Sequence, residues 1–151
     1  MTLSREDVVR AAMAVLGEEG HGALSMRRVA RKLGVSPMAL YNHVENRADL
    51  VDAIAESFLR WTHEEGGTLI EQARDLFNGY RRWPYMLDVV READPRISRD
   101  AAESVVAAAG GGPARTREDW AALRALAEGL STADDVDAPA VLARAAAALT
   151  A

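Results

Sequence analysis

Leu24-Ser25-Met26-Arg27-Arg28-Val29-Ala30-Arg31-Lys32-Leu33-Gly34-Val35-Ser36-Pro37-Met38-Ala39-Leu40-Tyr41-Asn42-His43-Val44 divides at Gly34 into two short amphipathic pieces. In the first, residues 25–33, Ser25 stands where a helix needs an N-cap. Met26, Val29, Ala30 and Leu33 recur at helical spacing and form one apolar stripe, from which Arg27, Arg28, Arg31 and Lys32 fall away. Gly34 ends the helix, because glycine enters the left-handed C′ conformation without a side-chain clash. The second piece, residues 36–44, opens with Ser36 as cap and Pro37 at the first helical position, where a missing N–H costs nothing. Leu40 and Val44 face inward, Val35 packs from the turn, and Pro37, Met38, Ala39, Tyr41, Asn42 and His43 face outward or sideways.

The same reading extends along the chain. Before this stretch, residues 4–19 form a helix with Ser4 and Asp7 as a capping box and Val8, Ala12, Val15 and Leu16 as its buried face. After it, Asn46 caps a helix running to about residue 65, with Leu50, Ile54, Phe58 and Trp61 at helical spacing. Further helices are expected over residues 68–83, 85–91, 98–109, 116–130 and 138–149. The breaks fall at Pro84, at Asp94-Pro95, at the Gly110-Gly111-Gly112-Pro113 loop and at the acidic stretch 134–137. No segment alternates as a strand does. The expected fold is all-α: a three-helix, helix-turn-helix unit over residues 1–46, then a helical unit over residues 47–151.

Net charge is −5 and the sequence pI is about 5.2, which by itself argues against nucleic acid. The distribution of charge argues the other way. Arg27, Arg28, Arg31, Lys32 and Arg47 face only Glu45 between residues 26 and 47, a local basic patch on an acidic chain. Taken alone, such a run also fits a solvated helix face. With no cysteine, disulfides and thiol chemistry are excluded. Residues 1–10 do not read as a signal peptide, and no apolar run reaches the ~20 residues of a membrane span, so a cytoplasmic protein without membrane contact is expected. His21, His43 and His63 lie in separate segments, and His63-Glu64-Glu65 lacks the second histidine of a zinc-protease helix. No phosphate loop or nucleophile elbow occurs. Neither an enzyme, a metal site nor a cofactor is expected.

A helix, a glycine turn and a short helix make up a helix-turn-helix, whose second helix lies in the DNA major groove. The stretch 24–50, above all Leu40-Tyr41-Asn42-His43-Val44-Glu45-Asn46-Arg47-Ala48-Asp49-Leu50, resembles the bacterial TetR family, and within it the tetracycline-repressor subgroup. The likeness covers about residues 4–62. It implies a transcription regulator, in the usual case a repressor that leaves a palindromic operator when a small molecule binds. It implies DNA contacts from Ser25, Arg27, Arg28, Ser36, Pro37, Met38, Ala39, Tyr41, Asn42, His43 and Arg47. The chemistry agrees for Arg27 and Arg47, whose guanidinium groups suit phosphate oxygens. Pro37, Met38 and Ala39 carry no side-chain donors, so they can touch thymine methyls but cannot make bidentate base contacts. Tyr41 also fits a half-buried packing residue, and His43 a surface histidine without a role.

The remainder is less informative. The resemblance implies a C-terminal ligand pocket and a homodimer interface, in a region shorter than the family's usual one. Trp61, Phe77, Tyr80, Trp83, Tyr85 and Met86 are the candidates to line a pocket for an unidentified small-molecule effector, although the same spacing suits plain core. The last two helices, rich in small apolar residues, suit a four-helix bundle with a partner copy. The alternative is an orphan DNA-binding or protein-interaction regulator without an effector.

Overall fold

The structure, a computed structural model, describes residues 3–63, 68–108, 113–133 and 137–150. Among them lie nine α-helices and no strand: α1 (Arg5–Glu19), α2 (Met26–Leu33), α3 (Pro37–Leu40), α4 (Arg47–Thr62), α5 (Leu69–Arg82), α6 (Met86–Glu92), α7 (Pro95–Ala108), α8 (Pro113–Ser131) and α9 (Ala138–Thr150).

Local chemistry explains most helix starts. The Asp7 N–H donates to Ser4 Oγ and the Ser4 N–H to Asp7 Oδ2, both at 3.1 Å, completing the capping box of α1. Asn46 Oδ1 accepts from the Asp49 N–H at 3.0 Å and opens α4. Thr68 and Glu71 form a second capping box at α5. α7 begins at Pro95, three residues before its expected start, because Asp94 Oδ1 accepts the Arg96 N–H at 2.9 Å and proline is at home in a first turn. α4 ends at Thr62, about three residues short of its expected end, because His63 is already extended, with φ −112° and ψ 100°. The glycine loop 110–112 and residues 134–136 of the acidic stretch lie outside the described residues.

A further expectation is corrected. The third helix does not run over residues 36–44; α3 stops at Leu40 and a turn follows over residues 41–43. The His43 carbonyl, which a continuing helix would direct at the Arg47 N–H, instead accepts from the Arg5 guanidinium at 2.7 Å. Val44 stays buried all the same, because its N–H closes back onto the Leu40 carbonyl at 3.0 Å.

The buried residues form one cluster from Val8 to Leu142. α1 packs on α2 and α4, and α2 on α3. α4 then contacts α5, α6 and α7, while α5 lies against α8 and α9. α4 is therefore shared between α1 and the later helices α5, α6 and α7. Its approach to α5 is close at Gly79, where an added Cβ would stand 2.8 Å from Thr62 Cγ2 and 2.9 Å from Phe58 Cε2.

Candidate nucleic-acid interface

The turn between α2 and α3 sets the site. Gly34 has φ +70° and ψ 27°, the left-handed conformation expected of it. Its N–H donates to the Arg31 carbonyl at 3.2 Å, and the Val35 N–H donates to the Ala30 carbonyl at 3.0 Å. That bond pair is a Schellman motif, which satisfies the last carbonyls of α2 while turning the chain. Leu40 is fully buried behind α3. Burying a leucine stabilises by roughly 1.5–3 kcal/mol, enough to seat a helix too short to hold itself.

In front, α2 and α3 border a groove of about 500 Å³ lined by Ser25, Arg27, Arg28, Arg31, Val35 and Pro37. Met38 is 72% exposed and Tyr41 48% exposed beside it. Asn42 and Ser36 are also exposed, while Ala39 and His43 are half-buried. Apolar side chains so far out of the core leave α3 with a surface that its own chain does not cover.

The cations of this face differ in availability. Arg28 pairs with Glu19, and Lys32 with Glu18 at 2.6 Å, so the acidic end of α1 neutralises one side of α2. Arg27 and Arg31 hold no salt bridge among the described residues. Arg47 is engaged from elsewhere. Its Nε donates to the Leu24 carbonyl at 3.2 Å, and its two terminal nitrogens grip the carboxylate of Glu92 at the end of α6. His21 Nε2 approaches the same carboxylate at 2.7 Å. Hydrogen bonding from Arg47 holds the Glu92 carboxyl below its ordinary range.

Arg5 supports the site from behind. It binds Asp49 through two nitrogens, at 2.6 and 3.1 Å, as well as the His43 carbonyl. Asp49 also accepts the Glu45 N–H at 2.8 Å. The hydrogen bond from Arg5 is the main reason that the Asp49 carboxyl titrates low. Reading the sequence missed Arg5, Asp49 and Glu92 as members of this arrangement, because their partners lie some 40 residues away and helical periodicity reports only neighbours. It counted Arg31 as basic without placing it in the groove, although its position one turn after Arg27 was the available signal.

The six aromatic and methionine candidates farther along the chain divide between core and surface. Phe77, Tyr80 and Met86 are buried, with Tyr80 packed on Phe58 at 5.1 Å between ring centroids. Trp61 is 59% exposed and meets Trp83 edge to face at 4.9 Å. Trp83 and Tyr85 border a shallow groove beside Met13 and Gly17 of α1. Among the described residues no three histidine or carboxylate side chains gather to hold a metal ion, and no helix is long and apolar enough to cross a membrane.

A capped helix, a left-handed glycine turn and a short exposed helix backed by one leucine define a helix-turn-helix DNA-binding domain. Residues 8–54, the stretch that holds α2, α3 and the first half of α4, match the model of bacterial regulatory proteins of the tetR family. The chain is 36% identical over 96 residues to the HTH-type transcriptional repressor DrrR1 of Streptomyces coeruleorubidus, covering 58% of this chain and 36% of that protein. The chain thus spans about a third of the length of the curated relatives it matches. In fold it is similar along its whole length to the crystal structure of BioQ, with a TM-score of 0.73, 26% identity and 100% of both chains covered. BioQ with its double-stranded DNA operator superposes with a TM-score of 0.71 at 24% identity, over 98% of this chain and 96% of that one.

Proposed function

We propose that this chain is a homodimeric transcription regulator, a repressor that holds a palindromic operator through α2 and α3 and leaves it when a small molecule binds. The observation that carries the DNA reading is the pair of guanidinium groups, Arg27 and Arg31, that hold no salt bridge among the described residues and stand on the rim of a groove whose other wall is the exposed edge of α3. Phosphates attract such groups, and contacts to them position a protein on the duplex. In this reading Arg27, Arg28, Arg31 and Arg47 face the backbone, with Ser25, Tyr41 and His43 adding hydrogen bonds. Ser36, Pro37, Met38, Ala39 and Asn42 enter the major groove. Asn42 is then the one side chain among these five able to make a bidentate contact to a base, an adenine. The apolar edge favours thymine methyls, and the remaining selectivity comes from DNA shape. α8 and α9 supply the dimer contact. Two copies then set the recognition helices one DNA turn apart, ~34 Å, or a multiple of it.

The test is selection of bound duplexes from random-sequence DNA, followed by fluorescence-anisotropy titration over a salt series. A pseudo-palindromic consensus and a steep salt dependence are expected. Binding without sequence preference, or binding indifferent to Arg27→Ala and Arg31→Ala together, would refute the assignment. One observation favours a regulator without an effector: Phe77, Tyr80 and Met86 close the core where a pocket was expected. Release from the operator by a small molecule decides between the two.

A further inference from the structure

A second groove, of about 470 Å³, lies between α6, α7 and α8, far along the chain from the DNA-facing residues. Its walls are apolar at Val90, Ala93, Ala102 and Trp120. Its charge is unusual for a chain of net −5: Arg91, Arg99 and Arg124 line it against a single carboxylate, Glu103. Arg124 Nε binds Glu128 on its own helix at 2.8 Å, whereas Arg91 and Arg99 form no salt bridge among the described residues. Asp94, whose charge Arg99 also feels, is already gripped by Arg96 through two oxygens. With Arg124 bound to Glu128 and Glu103 the one acid on the lining, Arg91 and Arg99 leave the groove an excess of positive charge that an anion would offset.

A second observation points to the same place. Trp120 is only 2% exposed and its indole N–H has no hydrogen-bond partner. Buried polar groups are nearly always paired, and an orphan costs stability, so an unpaired indole N–H on the lining of the groove marks where an acceptor is missing.

We propose that this groove binds a small amphipathic carboxylate, its headgroup held by Arg91, Arg99 and Arg124 and its apolar body laid against Trp120, Val90 and Ala102. The assignment rests on the effector-responsive reading above. Guanidinium forks match carboxylate geometry, and the volume is that of a site for a drug-sized molecule. The groove also explains how such a ligand reaches the DNA head. Val90, Arg91 and Ala93 line it, while Glu92 between them holds Arg47 and His21 on the other side of α6. Two residues on, the Asp94 N–H donates to Asp52 Oδ1 of α4 at 2.9 Å. A shift of the end of α6 is thereby felt at once by Arg47 and by α4.

The experiment is calorimetric titration of the full chain with decanoate and 2-naphthoate, each beside its neutral primary amide, and with Arg91→Gln and Arg99→Gln variants whose melting temperatures verify folding. Saturable binding of at least one carboxylate is expected, at least 10-fold tighter than its amide and weakened at least 10-fold by each substitution. Which of the two binds tells an aliphatic body from an aromatic one. Absence of saturable binding by both carboxylates, equal affinity for the amides, or indifference to both substitutions overturns the proposal. Operator affinity is measured in the same preparations without ligand. Failure there refutes the regulator reading, whereas DNA binding without carboxylate binding refutes this site alone.

Discussion

Replacing Glu92 by glutamine removes the charge that binds Arg47 while keeping the shape of the side chain. Arg47 and Glu92 are 41% and 34% exposed, so water screens their attraction and the pair is worth about 0.2–1 kcal/mol. Glu92→Gln should therefore lower stability by no more than about 1 kcal/mol, a fall in Tm of roughly 2–4 °C for a chain of this size. The same energy no longer competes with phosphate for Arg47. Operator affinity should rise about 1.4–5-fold per head, and the slope of log affinity against log salt should steepen by ~0.9 for each phosphate gained. Anisotropy titrations at several salt concentrations measure both. The double variant Arg47→Gln with Glu92→Gln should lose the gain, because the freed guanidinium is its source. An affinity that is unchanged or lower in Glu92→Gln, with the salt slope unaltered, would show that Glu92 does not compete with DNA and would refute the reasoning.

Other perturbations probe the parts of the head. Leu40→Ala should cost about 3 kcal/mol by leaving a cavity behind α3, read by chemical denaturation, because no solvent reaches that side chain. Gly34→Ala meets no atom within 4 Å of its new Cβ, so its cost is the left-handed backbone alone, about 1–2 kcal/mol. Circular-dichroism melts of that variant should show a modest loss with the helix content retained. Arg27→Ala and Arg31→Ala should each shallow the salt slope by ~0.9, with little change in melting temperature. Acid should unfold the protein, followed by the same melts between pH 7 and 2. Asp49 and Glu92 titrate lower in the folded chain than their ordinary values, held by Arg5 and Arg47, and Asp94 falls to about 2, held by Arg96. Folded-state values below the unfolded ones mean stability that is full above about pH 4.5 and lost as pH falls through the folded values. His63, pushed below its ordinary 6.5 by burial, begins the loss earlier, since the unfolded chain takes up its proton first.

Where the chemistry is local, the sequence was enough. Ser4 with Asp7, Ser25, Gly34, Asn46 with Asp49, and Thr68 each act on backbone groups within a few residues, so the starts of α1, α2, α4 and α5 and the turn of the DNA-binding unit were legible in advance. The inward roles of Leu40 and Val44 followed from spacing alone. Tertiary structure decided what depends on partners distant in the chain. The chain turns over residues 41–43 and hands the His43 carbonyl to Arg5, a partner 38 residues earlier that no periodicity reports. Tertiary structure also decided which cations stay available: five basic residues look alike in sequence, yet Glu18, Glu19 and Glu92 neutralise three of them and leave Arg27 and Arg31. The aromatic residues show the same limit. Helical spacing says which side chains share a face, whereas the packing of α4, α5 and α8 closed Tyr80 into the core and left Trp61 in solvent. Capping and turn preferences are properties of neighbouring backbone groups and travel with the sequence. Charge pairing and burial depend on which helices meet, and that exists only once the chain has folded.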